Sequence, residues 1–466
     1  MCIRDRHYIS TRGKAPKLNF SDVLLIGLAE DGGLYVPEYH PQITESDLRR
    51  FQKMEYVDIA FEIIKPYVSE CIPDNDLKSM INDSYSDFSH KDVAPVIKVE
   101  DNIYVCELFH GPTIAFKDFA LQLLGRLFDF VLAQKKRKIT IVGATSGDTG
   151  SAAIEACKNR ESINIFMLHP LGRTSDVQRF QMTTVDADNV FNIAIKGTFD
   201  DCQDLVKDLF NDKPVRKKLN LSAVNSINWA RIMAQIVYYF YSASRIGVPD
   251  KKVSFCVPTG NFGNVLAGYF AMKMGLPVDQ FMVASNSNDI LTRFLINKDM
   301  SINGVVETHS PSMDIQISSN FERLAFESAN RDAEKINEAM VEFRKTGKMP
   351  LPDGMWEKIN KKFQGMSINN DKTLKAIKKW KEEKGIIFDP HSAIGLEAGC
   401  KMKTSSPVIV MATAHPAKFP EVLKKAIGEK VEVPEHMSDM FKKQEKYDVL
   451  ENNYEDLLEY INSHLK

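Results

Sequence analysis

Apolar positions set two different rhythms along this chain, and the second takes over just past residue 90. In the leading part, the apolar run from Val23 to Ala29 is closed by the turn composition Asp31-Gly32-Gly33, and Leu34-Tyr35-Val36-Pro37 leaves it as a short extended piece. Between Phe51 and Val68 the residues Val57, Ala60, Phe61 and Ile64 recur at helical spacing, which predicts a helix. The Pro73 region and the polar stretch Asn82 to Lys91 read as connectors. Residues 1–90 are therefore expected to form a small N-terminal domain.

From Val93 short apolar runs alternate with helical periodicity, the pattern of a parallel sheet with helices on its faces. After Lys117 the residues Ala120, Leu124, Leu127 and Val131 give one buried stripe, with Asp118 placed to cap the helix. The strand Ile139 to Val142 leads into the loop Gly143-Ala144-Thr145-Ser146-Gly147-Asp148-Thr149-Gly150 and a helix through Ala152, Ala153, Ala156 and Cys157. Another strand is expected over Ile163 to Leu168. A further unit runs from the strand Val253 to Val257 through Pro258-Thr259-Gly260-Asn261-Phe262-Gly263-Asn264 to a helix that Gly275 and Pro277 stop. Residues 315–385 carry Lys and Glu at helical spacing with Trp356 and Trp380 as packing anchors, and are expected to form a helical subdomain. The strand Val408 to Ala412 follows. The expected fold is thus α/β: doubly wound, mostly parallel sheets over residues 91–430, the small N-terminal domain, and peripheral helices over residues 431–466.

Composition narrows the function without choosing it. The chain has 466 residues, 44% hydrophobic and 26% charged, enough for two or three domains with large cores. Its 60 Lys and Arg against 62 Asp and Glu leave a formal charge of −2, so no global field draws it to nucleic acid or an anionic membrane, and any anion needs a local site. Seven scattered cysteines without a Cys-x-x-Cys pair argue against a disulfide framework or zinc knuckle and fit a reducing cytoplasm. The opening Met1 to Arg6 is charged where a signal peptide would need an apolar core, and no apolar run reaches membrane-spanning length, so neither export nor insertion is expected.

The chemistry centres on Lys117. Phe116 and Phe119 flank it at the start of a helix, and a desolvated ammonium has the lowered pKa an amine needs to attack a carbonyl and form a Schiff base. The bland alternative is a lysine that lays its stem on an apolar surface and keeps its charge in water. The two glycine-rich strand-to-helix loops are tight turns or anion cradles. Neither ends in the Gly-Lys-Ser/Thr of a triphosphate-binding loop. Gly143, Gly147 and Gly150 have the wrong spacing for a dinucleotide fold, and the following strand ends in His169-Pro170 rather than an acid. No His-Glu-x-x-His, paired-carboxylate or Gly-x-Ser-x-Gly motif is present, so no metal is expected. A reactive lysine and two anion cradles on a doubly wound sheet are the parts that pyridoxal phosphate chemistry requires. His110, His391 and His415 sit in turn-like stretches and read as histidines bonded to backbone.

Four segments together, His110-Gly111-Pro112-Thr113 with Ala115 to Ala120, Gly143 to Gly150, Gly260 to Asn264, and Thr413-Ala414-His415-Pro416-Ala417-Lys418-Phe419, resemble the threonine synthase family. Tyr8-Ile9-Ser10-Thr11-Arg12-Gly13 fits the same family, whereas residues 1–6 do not resemble its start. The resemblance implies the fold-type II architecture of pyridoxal phosphate enzymes and conversion of O-phospho-L-homoserine and water to L-threonine and phosphate. It implies that Lys117 holds the cofactor and moves protons. Gly260, Asn261, Phe262, Gly263 and Asn264 would cradle the cofactor phosphate, and Thr413 would sit at the pyridine nitrogen. Thr145, Ser146, Asp148 and Thr149 would face the substrate carboxylate. Asn225, Ser226 and Arg231 would receive the substrate phosphate, with Arg173 in reserve. The near alternatives are a phospho-lyase releasing 2-oxobutyrate and a threonine or serine dehydratase, whose Ser-x-Lys-x-Arg pattern is not matched around Lys117. A non-catalytic anion- or nucleotide-binding module is the alternative of another class. A cytoplasmic monomer or homodimer with a small-molecule substrate is expected.

Overall fold

The structure, a computed structural model, describes residues 7–465 apart from Ala223 and Asn225. Its strands are, in chain order, β1 (Tyr8–Ser10), β2 (Tyr35–Pro37), β3 (Val96–Glu100), β4 (Ile103–Glu107), β5 (Ile139–Ala144), β6 (Ile163–Pro170), β7 (Val190–Ile195), β8 (Leu221–Ser222), β9 (Val253–Pro258), β10 (Val278–Ser285), β11 (Phe363–Ser367), β12 (Val408–Ala412) and β13 (Asp448–Leu450). One sheet has the order β11-β10-β9-β12-β4-β3 and is parallel except for β3 against β4. The second, β13-β7-β6-β5-β8, is parallel throughout. Every residue of β9 and of β12 is buried, as expected of central parallel strands covered on both faces.

The helix Trp229–Arg245 is buried along its length from Trp229 to Ser244, and packs against the helices Tyr56–Val68, Lys117–Lys135 and Gly263–Lys273. A helix apolar on nearly all sides belongs in a core, and the polar groups it carries must find partners there. Gln235 Nε2 donates to Arg231 O at 2.8 Å, and the Tyr238 and Tyr239 hydroxyls converge on Asn264 Oδ1 at 2.8 Å each.

Residues before 90 share one continuous apolar core with the two sheets. Arg12 clamps their start to the helix Phe321–Ser328 by donating to both oxygens of buried Glu322, at 3.0 and 2.9 Å. Within this segment the Pro73 region is more than a connector. It opens the helix Asp74–Tyr85, whose inner face is Leu77, Met80, Ile81, Ser84 and Tyr85, and whose polar outer face masked the period. The helix expected over 51–68 is two, Glu45–Phe51 with a Thr44–Asp47 capping box, and Tyr56–Val68. The stretch 315–385 does carry helices, but β11 interrupts them and joins the edge of the large sheet beside β10. Likewise the C-terminal segment holds the helix Tyr454–His464 and also β13, which extends the second sheet beside β7. Both strands are short edge strands, too brief for an alternating signal to stand out.

Candidate active site

Lys117 is placed by a zipper between two strand ends. The chain leaving β4 lies along the chain leaving β12: Leu108 N donates to Ala412 O at 2.9 Å, Phe116 N to Thr413 O at 2.9 Å and His415 N to Ile114 O at 3.0 Å. Ile114 has φ 53°, a left-handed conformation that is costly for a β-branched residue and is held by these bonds. Lys117 is then the first residue of the helix Lys117–Lys135. Asp118 does not cap that helix as its position suggested. Its carboxylate turns back to accept from Thr113 N at 2.9 Å and Thr113 Oγ1 at 2.6 Å, bracing the Gly111–Thr113 turn, and burial pushes its pKa up to about 6.

The Lys117 ammonium is buried and donates to Asp148 Oδ2 at 3.3 Å. Asp148 is a hub. Its Oδ1 also takes Gln178 Nε2 at 2.9 Å and the Lys418 ammonium at 3.2 Å, and its Oδ2 takes Ser312 Oγ at 3.2 Å. Burial lowers the Lys117 pKa, the charges of Lys418 and Arg231 lower it further, and Asp148 opposes them. Burial alone would raise the Asp148 carboxyl, but Lys117 and Lys418 outweigh it and hold the group ionised, far below the usual carboxylate range.

The loop after β5 is folded by Thr145, whose Oγ1 accepts from Gly147 N at 2.9 Å and Gly150 N at 2.8 Å, so its acceptor capacity is spent inside the loop. Gly147 has φ 140°, and a Cβ there would come within 2.4 Å of the Gln178 carboxamide that holds Asp148. Ser146 and Thr149 are half-buried on the same turn. After β9, Phe262 sits at φ 64° with its ring against Phe321 and Phe363, and opens the helix Gly263–Lys273 with no side-chain cap. A Cβ at Gly260 would lie 2.7 Å from Ser312 O, so this loop and the Pro311–Met313 turn touch backbone to backbone. Asn264 Nδ2 is buried with no partner among the described residues. Arg231 is buried, gives Nη1 to Val224 O at 2.9 Å, and leaves Nε without a partner among the described residues. Burial lowers its pKa to about 10, so it stays charged at neutral pH. Ser226 lies half-buried near it in sequence, while Asn225 is outside the described residues. Arg173 is exposed. Thr413 is buried directly after β12, its N–H on Ser392 Oγ at 3.0 Å.

Lys117, Thr413 and both glycine loops therefore stand at the carboxyl ends of parallel strands, where open α/β sheets bind ligands. Among the histidines, His391 gives Nδ1–H to Asp389 Oδ1 at 2.9 Å and accepts from Ser312 N at 3.3 Å through Nε2. His415 accepts from Ala417 N at 3.2 Å, and burial with the neighbouring His110 holds its pKa near 4, so it stays neutral at working pH.

Residues 93–349 match the family profile of pyridoxal-phosphate-dependent enzymes, the class that this fold and site define. Flanking it, residues 7–85 match the threonine synthase N terminus and residues 392–461 the threonine synthase C-terminal region. The chain belongs to the threonine synthase family. It is 48% identical to the threonine synthase of Pseudomonas aeruginosa over 98% of both chains, and 43% identical to that of Saccharomyces cerevisiae over 90% of this chain and 89% of the other. Among solved structures it superposes with TM-score 0.96 on the pyridoxal-phosphate-bound threonine synthase of Brucella melitensis, at 47% identity over 98% of this chain and 99% of that one. The yeast threonine synthase structure gives TM-score 0.93 at 40% identity, over 100% of this chain and 99% of that one.

The cofactor is pyridoxal phosphate, and three features of the molecule fit it. A buried amine of lowered pKa suits its carbonyl, the uncapped start of the helix Gly263–Lys273 suits its phosphate, and the orphaned Asn264 Nδ2 is a donor awaiting an acceptor. Lys418, Gln178 and Ser312 were given no role from sequence. Lys418 had one legible signal, a lysine closing an apolar stretch that begins at Val408. Gln178 and Ser312 had none, since they reach Asp148 from 30 and 164 residues away.

Proposed function

We propose that this site converts O-phospho-L-homoserine and water to L-threonine and phosphate. Pyridoxal phosphate, when bound, supplies an electron sink for charge developing at the substrate Cα. Lys117 holds the cofactor and, once free, removes the Cα proton and moves protons at Cβ. Gly260 to Asn264 bind the cofactor phosphate through backbone N–H groups, and Thr413 meets the ring nitrogen. Ser146 and Thr149 bind the substrate carboxylate, while Thr145 shapes their loop. Asp148 acts on the cofactor side of the site, because it is already committed to Lys117 and Lys418. Arg231, with Ser226 and Asn225, takes the γ-phosphate. Water then adds at Cβ.

The observation that carries this reading is Arg231: a buried guanidinium with no carboxylate against it among the described residues, close enough for its charge to depress the amine of Lys117. A buried cation without a counter-ion calls for an anion, and a guanidinium matches a phosphate by two parallel hydrogen bonds. The test is to assay phosphate and threonine together from phosphohomoserine, with borohydride reduction and peptide mapping of the loaded protein. Equal yields of the two products and a label on Lys117 are expected. Phosphate with 2-oxobutyrate in place of threonine would mark a phospho-lyase, and a label on another lysine would displace Lys117. A cytoplasmic setting is part of the same proposal, supported by six described cysteines that are all free thiols.

A further inference from the structure

Two lysines meet one carboxylate in this interior, and they are held very differently. Lys418, on the Pro416–Lys418 turn just past Thr413, is fully buried, donates to Thr113 O at 2.8 Å and Gln181 Oε1 at 2.9 Å, and forms an ion pair with Asp148 Oδ1 at 3.2 Å. Lys117 has one hydrogen-bond partner among the described residues, Asp148 Oδ2 at 3.3 Å. Lys418 is thus fixed, whereas Lys117 is lightly tethered.

We propose that Lys418 is the standing counter-ion of Asp148, which frees Lys117 to give up its proton without leaving a lone carboxylate in the interior. The inference rests on the reading of Lys117 as the cofactor lysine. For that amine to join the cofactor, its lone pair must form the C–N bond to the aldehyde carbon while the aldehyde oxygen leaves as water, so the amine has to be neutral first. Were Asp148 paired with Lys117 alone, losing that proton would strand a buried anion, and the proton would be retained. The other charged and titratable groups facing the cluster are Arg231 on the Lys117 side, His391 beside Asp148, and Asp118 and His415 beside Lys418. Arg231 and Lys418 both favour the neutral amine. Lys418 is a positioning residue and is not placed against the substrate.

The test follows the pH dependence of the rate at which full-length apoprotein combines with pyridoxal phosphate, read from absorbance. Removing the Lys418 charge with Lys418→Met should move the midpoint upward by about 1 to 3 pH units, slowing combination by roughly ten- to a thousandfold below both midpoints, with the rates converging at high pH. A uniformly slower rate with an unchanged midpoint would make Lys418 a structural brace and overturn the proposal. If Lys418→Met does not fold, Lys418→Gln is the deciding variant, because it removes the charge and keeps a donor for the buried acceptors Thr113 O and Gln181 Oε1. Its midpoint should rise as well, and an unchanged or lowered midpoint overturns the proposal. Borohydride mapping of the wild type separates the two levels: a label away from Lys117 defeats the cofactor-lysine reading, whereas a label on Lys117 with unmoved midpoints defeats the counter-ion alone.

Discussion

Replacing Arg231 by Met should make the protein more stable and much less active, and both magnitudes can be worked from the structure. Burial lowers the guanidinium pKa from 12.5 to about 10, and at about 1.4 kcal/mol per unit the charged form costs the fold about 3 kcal/mol at any pH well below that value. Methionine removes the charge while filling much of the space. It forfeits the Nη1 bond to Val224 O, about 1 kcal/mol, and so leaves a net gain of about 1 to 2 kcal/mol. At about 2.1 cal/mol/K per residue, a chain of 466 residues shifts by about 1 °C per kcal/mol, so the apoprotein should melt about 1 to 2 °C higher. Activity should move the other way. Two charge-assisted bonds to a substrate phosphate at about 1.5 to 3 kcal/mol each amount to a loss of roughly a hundred- to ten-thousandfold in kcat/KM. Thermal melts of the apoprotein and steady-state phosphate release measure the two quantities separately, and cofactor content should be unchanged. A variant that melts lower and turns over phosphohomoserine like the wild type would show that Arg231 is a structural residue. The phosphate would then fall to Arg173.

The glycine loop after β9 offers an internal control. Gly260→Ala drives a Cβ to 2.7 Å from the backbone oxygen of Ser312, whereas Gly263→Ala meets only Asn320 Nδ2 at 3.4 Å and Ile232 Cδ1 at 3.6 Å. An overpacking strain of about 1 to 3 kcal/mol should weaken pyridoxal phosphate binding roughly ten- to a hundredfold in the first variant and little in the second, as read by equilibrium dialysis, and equal weakening would refute the backbone approach. Asp118, its pKa raised from 3.8 to about 6 on folding, contributes stability that is complete below pH 4 and is lost as pH rises through 6, a swing of about 3 kcal/mol. Asp118→Asn should flatten that part of the profile in urea melts at pH 5 and pH 8, and a profile as steep as the wild type would assign the slope to another group.

Sequence periodicity revealed what repeats and missed what depends on distant partners. The strands β5, β9 and β12 were legible because burial on both faces writes continuous apolar runs, and the loops after them because glycine spacing is local. The helix Asp74–Tyr85 was lost to its polar outer face. The strands β11 and β13 are edge pairings, so what defines them lies in the neighbouring strand. In the site, the aromatic flanks of Lys117 pointed to its burial, but the partners of Asp148 could not be read. The family resemblance implied substrate contact for it, and its side-chain partners Gln178, Ser312 and Lys418 come from distant segments. Thr145 is a related case, because the bonds its oxygen accepts from the N–H groups of Gly147 and Gly150 follow from the conformation of the loop and not from its composition.

The charge distribution explains why the site and the chain as a whole have opposite signs. The formal charge of the protein is −2, yet Lys117 and Lys418 both pair with the ionised carboxylate of Asp148, Arg231 lies near Lys117, and the other carboxyl beside the cluster is Asp118 next to Lys418. An interior with that excess is held at the expense of stability, since each buried charge lacking a counter-ion is unfavourable. The excess is divided by function. Lys418 is matched to Asp148 and to two oxygen acceptors, Lys117 is left loosely bound so that its charge can be surrendered, and Arg231 keeps its Nε without a partner among the described residues. Placing one fixed cation and one removable cation on a shared carboxylate, with a waiting cation near the removable one, lets a nearly neutral protein attract an anionic cofactor and an anionic substrate to the same interior without a basic surface.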